Sequence, residues 1–326
     1  MKKLFGLLGF LAALAGSEAF VQPAEAAETI TMVTTGKGSA QQWPIFIAME
    51  KGYMAQNGVK LDLVAAPSSA EAVQQLAAGS ANLESGGLTD PLLAIDRGAK
   101  IAVLRVETEV PPYSLWAKGA ITSIPQLRHK LISIGGAKDI TRIYLQRALI
   151  PNGVKPDEYD LIFAGTTSAR FAALSSGAVD ASLLIPPFSF RAKQIGLSHL
   201  ADIADYAHDL PFTGYATNLA WARAHTPALL GFLTAMAKGV DWFYDDANRA
   251  EAIRILVAQS HLSDADVAAT YDYYRQLHVF DHRGSITSAT VRSLVNAMQD
   301  MHDFDGPRAI DRFIDPQLAA FVAKVK

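Results

Sequence analysis

The stretch DLVAAPSSAEAVQQLAAGSANLESGGLTDPLLAIDRG, residues 62–98, is written a second time as DLIFAGTTSARFAALSSGAVDASLLIPPFSFRAKQIG, residues 160–196. The offset is a constant 98 residues and no gap is needed. Asp62, Leu63, Ala66, Leu76, Gly79, Ala94 and Gly98 recur as Asp160, Leu161, Ala164, Leu174, Gly177, Ala192 and Gly196. Val64/Ile162, Ser68/Thr166, Ser69/Thr167 and Asn82/Asp180 are near-matches. Each copy reads as a short apolar strand, a hydroxyl pair, a helix stopped by Gly, a second strand and another Gly-stopped helix. Solenoid repeats are shorter and more numerous. Two long copies instead predict two α/β lobes of like construction. Any two strand–helix units capped by Gly look somewhat alike, but the gapless match and the two identical caps weigh against coincidence.

Outward from this block the pattern continues. Residues 30–35 alternate and are β-rich, predicting the first strand; Gly36-Lys37-Gly38-Ser39 follows, and a helix begins around Gln42, Trp43 and Pro44. Residues 59–66 predict the second strand. Ser68 and Ser69 stand before Glu71 in a near capping box, and Gly79 ends that helix. A strand at 82–85, a Gly86-Gly87 turn and a helix opened by Thr89-Asp90-Pro91 come next, then a strand at 101–106. Pro111-Pro112 marks a connection, and 113–117 reads as a strand crossing between lobes. The second lobe adds a helix start at Ser123-Ile124-Pro125, a strand at 131–134, and Gly135-Gly136-Ala137-Lys138-Asp139 leading into a helix with Thr141 and Arg142 near its start. Residues 212–219 read as the strand returning to the first lobe. From Thr226-Pro227 onward the pattern is helical, with Thr226, Ser263, Thr287 and Asp315 as expected N-caps; Trp242, Phe243, Tyr244, Tyr271, Tyr273 and Tyr274 read as packing between these helices.

The expected class is therefore α/β: two lobes, each a mainly parallel sheet flanked by helices, with a helical C-terminal region. The expected organisation is a signal peptide at 1–26, the first part of lobe one at 27–113, lobe two at 114–215, and the return with the C-terminal helices at 216–326.

Composition narrows the address. Half of the 326 residues are hydrophobic, the net charge is −3 with mixed signs, and no basic run stands out, so nucleic acid is not an expected partner. Lys2 and Lys3 precede an apolar run, and Ala24-Glu25-Ala26 has the small-x-small form of a signal-peptidase site, so cleavage is expected near Ala26 or Ala27. The run is short for a membrane span. The chain has no Cys, which excludes disulfides, thiolate metal sites, a cysteine nucleophile and a lipid-modified cysteine. The expectation is a soluble periplasmic protein and a monomer.

Enzyme motifs are missing: there is no Gly-x-Ser-x-Gly elbow, no His-Glu-x-x-His and no Walker-type loop. The histidines lack metal-ligand spacing, so neither a metal nor a cofactor is expected. In parallel sheets ligands sit beyond the carboxyl ends of the strands, against helix N-termini. The strand ends here are small, hydroxylated and Gly-rich: Gly36 to Ser39, Ser68-Ser69 and Gly86-Gly87 to Thr89 in one lobe; Gly135-Gly136, Thr166-Thr167-Ser168 and Pro186-Pro187 in the other. Small residues let amides approach a ligand, and uncapped helix amides favour an anion. Helix capping explains any one of these hydroxyls equally well. Their occurrence at equivalent positions of both lobes points to a shared site between them.

The chain resembles the periplasmic solute-binding proteins of ABC importers, in the branch associated with sulfonates, taurine, nitrate and thiamine-precursor pyrimidines. The resemblance spans essentially all of the chain beyond residue 26. It is carried by Ala48-Met49-Glu50-Lys51-Gly52-Tyr53, Asn57-Gly58-Val59, Leu76-Ala77-Ala78-Gly79-Ser80-Ala81-Asn82, Leu174-Ser175-Ser176-Gly177-Ala178-Val179-Asp180-Ala181, and Trp221 with Thr226-Pro227. It implies a type II-like two-lobed binding protein that closes around a small-molecule ligand by a population shift and is then recognised by a membrane permease, without chemistry. Lys37, Lys138, Arg142 and Arg170 are the expected cations near the mouth, suited to a carboxylate or sulfonate. Trp43, Phe188, Trp116 and Tyr215 are candidate apolar walls, the first two favoured by their place after strand ends, which makes the expected solute a small organic anion with an apolar or aromatic body. Asp90 cuts across this, since an inward carboxylate favours an amine. Two rivals share the scaffold: a pyrimidine-synthesising enzyme, whose family carries a Cys-rich motif absent here, and a binding protein that serves a membrane sensor.

Overall fold

The computed structural model describes residues 27–325 except 37, 261, 283, 285 and 287. The leader expected at 1–26, Lys37 and the Thr287 cap lie outside the described residues.

Ten strands form two sheets. They are β1 (Glu28–Thr35), β2 (Val59–Ala66), β3 (Leu83–Gly87), β4 (Ile101–Thr108), β5 (Ser114–Ala117), β6 (Leu131–Ile134), β7 (Asp160–Phe163), β8 (Ala181–Leu184), β9 (Ser198–Asp202) and β10 (Thr213–Asn218). The first sheet has the order β2-β1-β3-β10-β4 and the second β7-β6-β8-β5-β9. The two orders superpose position by position, and the sequence repeat accounts for it. The run β2, helix Ser69–Ala78, β3, helix Thr89–Asp96 corresponds to β7, helix Thr167–Ser175, β8, helix Phe188–Gln194. Both copies begin at the same register, Thr31 beside Asp62 and Leu131 beside Asp160.

The sheets are mixed rather than wholly parallel. β1 runs parallel to β2 and β3, and β6 to β7 and β8. In the first sheet β10 lies antiparallel between β3 and β4, and in the second β5 lies antiparallel between β8 and β9. The reversed strand in each sheet is the one that arrives across the interlobe connection. Because β10 starts at Thr213, the first sheet resumes there, two residues before the expected boundary at 215.

The two crossings touch one another. The Phe212 amide donates to the Thr108 carbonyl at 2.8 Å, and the Ile203 amide to the Tyr113 carbonyl at 2.9 Å. Tyr113 and Phe212 pack edge to face with centroids 4.9 Å apart. The C-terminal helices Thr226–Tyr244, Arg249–Ser260 and Asp264–Leu277 pack against helix Trp43–Glu50. The closest approach is at Gly239, where a Cβ would stand 2.6 Å from the Pro44 carbonyl oxygen, so only glycine fits. Ser263 and Asp315 cap their helices as expected, whereas Thr226 lies inside its helix and bonds back to the Ala222 carbonyl.

Candidate functional site

A cavity of about 670 Å³ opens between the two sheets, walled by residues from both copies of the repeat and by the end of helix Arg249–Ser260. It lies where the parallel strands of each sheet run out into helix starts, the place this sheet architecture reserves for ligands. From the first sheet and its helices Gly36, Ser39, Gln42, Ser68, Ser69, Gly87 and Asp90 line it. From the second, Gly136, Lys138, Thr166, Thr167, Arg170, Pro187 and Phe188 do so.

Several of the hydroxyls also serve as helix caps. The oxygens of Ser39, Ser68 and Thr166 accept from the amides of Gln41, Glu71 and Ala169. Asp139, which sequence reasoning passed over as a wall residue, caps helix Ile140–Leu149 by accepting from the Thr141 amide at 2.9 Å. Helices Thr89–Asp96 and Phe188–Gln194, equivalent in the repeat, begin with no side-chain cap. Their first-turn amides carry the positive end of the helix dipole.

Six residues expected at the site or as its walls stand off the cleft. Trp43 is wholly buried among Phe243, Tyr271 and Tyr274, with Nε1 donating to the Ala252 carbonyl at 2.8 Å; the turn Ala40–Gln42 rotates it away from the mouth. Tyr215 sits on β10 within the first sheet, wholly buried, and donates its hydroxyl to Glu107. Thr89 is buried, and Thr141 turns inward so that its hydroxyl accepts from the Gly135 amide at 2.9 Å. Arg142 points to the C-terminal segment, where Nη2 meets the Asp303 carboxylate at 2.6 Å. Trp116 packs in the second sheet, donating to Ser114. In each case residue type fitted a ligand wall, but side-chain direction, set by the turn of a strand or helix, did not.

The apolar wall is made instead by Tyr113, Phe212, Ile140, Ile185 and Leu93 beside Phe188. Tyr113 and Phe212 belong to the crossings, and the signals for them were Pro111-Pro112 before Tyr113 and the returning strand expected from residue 212. Ser260 and Leu262, 222 or more residues from Gly38, reach the mouth because Gly38, at φ +64°, packs directly on the Gln259 and Ser260 backbone. No local pattern announces that contact.

The cleft is electrically two-sided. Arg170 is 2% exposed and faces no carboxylate within ion-pair distance among the described residues. Its guanidinium donates to the carbonyls of Leu183 and Gly165, to Tyr113 Oη and to Thr167 Oγ1. It stands in the first turn of helix Thr167–Ser175, which has no acidic residue there, so its charge adds to the helix dipole. Lys138, on the same side, places Nζ 3.2 Å from the Asp303 carbonyl and 3.8 Å from its carboxylate.

The first sheet is acidic. Burial pushes the Asp90 carboxyl up to about 6, with the neighbouring Ser69 hydroxyl pulling the other way. Burial likewise raises Glu107 to about 7, against the hydrogen bond from Tyr215 and the charge of Arg105. Glu84 is driven well above the usual carboxylate range by burial and then by the charges of Asp90 and Glu107. These groups hold protons in the native state that the unfolded chain releases at lower pH. Their linkage therefore makes stability fall as pH rises, from about 4 to 6 for Asp90 and from about 4.5 to 7 for Glu107. A thermal-unfolding series is expected to show a higher midpoint at pH 5 than at pH 7.5, and Glu107→Gln is expected to flatten that difference. A midpoint that falls on acidification, unchanged in Glu107→Gln, contradicts this assignment.

A two-sheet molecule with paired crossings, like strand orders and a cleft between its halves has the fold of the periplasmic binding proteins of ABC import systems. The sequence places it more closely: residues 39–250 match the family model described as NMT1/THI5 like, and the chain belongs to that family. No curated protein matches it in sequence. Among solved structures, it is similar to the ligand binding component of an ABC-type import system from Staphylococcus aureus with zinc bound, with TM-score 0.75 and 14% identity over 92% of this chain and 99% of that one. It is similar to the alkanesulfonate-binding protein SsuA from Xanthomonas axonopodis pv. citri bound to MOPS, with TM-score 0.72 and 16% identity over 92% and 99%. The periplasmic nitrate-binding protein NrtA from Synechocystis PCC 6803 gives TM-score 0.73 and 13% identity over 92% and 86%. Identities this low establish the fold alone. Among the described residues no helix is long and apolar enough to cross a membrane, and no group of His, Asp and Glu could hold a metal ion.

Proposed function

We propose that this protein is the periplasmic solute-binding component of an ABC importer and that it holds a small organic anion, a carboxylate or sulfonate with an apolar body, between its two lobes. It is not an enzyme on this reading; binding is reversible, and the partner is a membrane permease. The leader expected at 1–26 carries it across the inner membrane. The observation that carries the reading is Arg170: a buried, carboxylate-free guanidinium at a helix start, on the wall of a cleft with aromatic and aliphatic residues beside it. A buried cation without a counter-charge is costly, and an anionic solute relieves that cost.

Closure is the second half of the proposal. Arg191, on helix Phe188–Gln194 of the second sheet, pairs through Nε at 3.0 Å and Nη2 at 2.6 Å with Asp266 on helix Asp264–Leu277, which packs with the first sheet's helices. Such a contact across the mouth forms in one lobe arrangement and is lost in another, so a solute touching both lobes shifts the population toward the paired form.

A thermal-shift panel of sulfonates, carboxylates, nitrate, amines and pyrimidines, run after unfolding and refolding to remove co-purified solute, tests the reading. A bound anion at about a hundred times its Kd is expected to stabilise the protein by roughly 2.7 kcal/mol. Arg170→Gln, which keeps several hydrogen bonds but removes the charge, is expected to weaken that anion at least tenfold. Silence across the panel, or consumption of the solute, contradicts the proposal.

A further inference from the structure

We infer that the first-sheet wall of the cleft is a receptor for a nitrogen-borne hydrogen-bond donor on the same solute, with Asp90 its direct partner and Glu84 the group behind it, so that the solute carries an N–H function as well as an acidic one. The inference deepens the solute-site reading above and rests on it.

Glu84 is the unusual group. It is wholly buried on β3, and among the described residues neither carboxyl oxygen has a hydrogen-bond partner. Its carboxyl reaches the level of Gly86, two residues on and facing the same way in the strand. A Cβ at Gly86 would meet Glu84 Oε1 at 2.2 Å and Ser69 Oγ at 3.7 Å, and both Gly86 and Ser69 line the cleft. The missing side chain at Gly86 is what seats the carboxyl there. Buried polar groups in native proteins are nearly always paired, so an unpaired buried carboxyl directed to a cleft wall points to a donor from outside the chain.

Asp90 supplies the exposed end of this acceptor set. It lines the cleft, and among the described residues no cation lies within ion-pair distance of it. The charged groups facing it are Glu84 from β3, Asp139 from the loop after β6, Asp303 from the C-terminal segment and Arg97 from its own helix. Ser69 adds a hydroxyl. Asp303 is already paired with Arg142 and Lys138, and burial favours the protonated form of Glu84, so it is Asp90 and Asp139 that stand against one exposed guanidinium. The Thr35 hydroxyl, buried on the same wall, also lacks a partner among the described residues. A sulfonate or carboxylate turned toward this wall meets negative charge; an amine or other N–H group meets acceptors. The opposite wall offers Arg170. Both poles of the cleft are filled by one solute that is acidic at one end and an N–H donor at the other.

Calorimetric titration of the protein with matched probes tests this: 2-aminoethanesulfonate against ethanesulfonate, 4-aminobutyrate against butyrate, and 4-aminobenzoate against benzoate. The amine-bearing member of at least one pair is expected to bind ten or more times tighter than its partner. Asp90→Asn is expected to shrink that ratio to within about threefold while leaving the amine-free probe as tight or tighter. A second readout stands should that variant fold poorly. With the wild-type protein and an alkyl-ammonium probe, affinity is expected to fall as pH drops through about 6, because protonation removes the Asp90 charge. Equal affinity within every pair, preference for the amine-free member, or affinity rising on acidification overturns the inference while leaving the anion site standing. No binding by any probe overturns the solute-site reading and this inference with it.

Discussion

Trp43→Ala is expected to lower the unfolding free energy by about 4 kcal/mol, the usual cost of emptying a large aromatic site in a core, and to bring the thermal midpoint down by roughly 10 °C. The residue is wholly buried and its ring meets Phe243 at 5.3 Å and Tyr271 at 5.6 Å, both edge to face. Its indole nitrogen holds the Ala252 carbonyl. One side chain thus joins helix Trp43–Glu50 to three C-terminal helices, Thr226–Tyr244, Arg249–Ser260 and Asp264–Leu277. Trp43→Phe keeps most of the apolar contact but loses that hydrogen bond, and is expected to cost roughly 0.5–1.5 kcal/mol. Since Trp43 does not line the cleft, solute affinity measured on the folded fraction is expected to change by less than about twofold in either variant. A stable Trp43→Ala protein with lost affinity is the opposite pattern and returns the residue to the cleft wall.

Arg142→Ala is expected to be nearly as damaging, by about 3 kcal/mol, for an electrostatic reason. Asp303 is buried, with its side chain 1% exposed, and Arg142 is its short-range partner. Removing the guanidinium leaves the carboxylate inside the protein with only Lys138 at 3.8 Å. Taking both charges out together relieves most of this, since a buried pair is worth little more than an apolar replacement of like volume. Denaturant unfolding of Arg142→Met, Asp303→Leu and the double variant measures the coupling. The double variant is expected to regain at least half of the single-variant loss. Additive losses contradict the pairing. Anion affinity is expected to survive in Arg142→Met, because Arg142 fastens helix Ile140–Leu149 to the C-terminal segment and does not line the cavity, whereas Asp303→Leu also frees Lys138 on the cleft wall.

The part of this protein that could be read without coordinates is the part governed by local rules. Gly79 and Gly177 end equivalent helices at φ +78° and +79°, a backbone conformation open to glycine, and that chemistry is visible in the letters. Apolar strands followed by hydroxyl caps recur at a fixed offset, so two like α/β lobes and a cleft at their strand ends followed directly. The expected residues that do lie on the cleft wall are in the loop or first helical turn after a strand, where topology brings the chain to the cleft. Tertiary structure decided the rest. Trp43 and Arg142 stand in first helical turns as well, where the rotation about the helix axis selects between cleft and core. Tyr215 sits on a strand whose two faces look alike in sequence. The polarity of the cleft was least legible of all. Arg170 and Asp90 become decisive through the absence of a counter-charge, and Glu84 through the space left by Gly86. Those are properties of what surrounds a residue after folding, since burial and pairing belong to the packed chain and not to any segment of it.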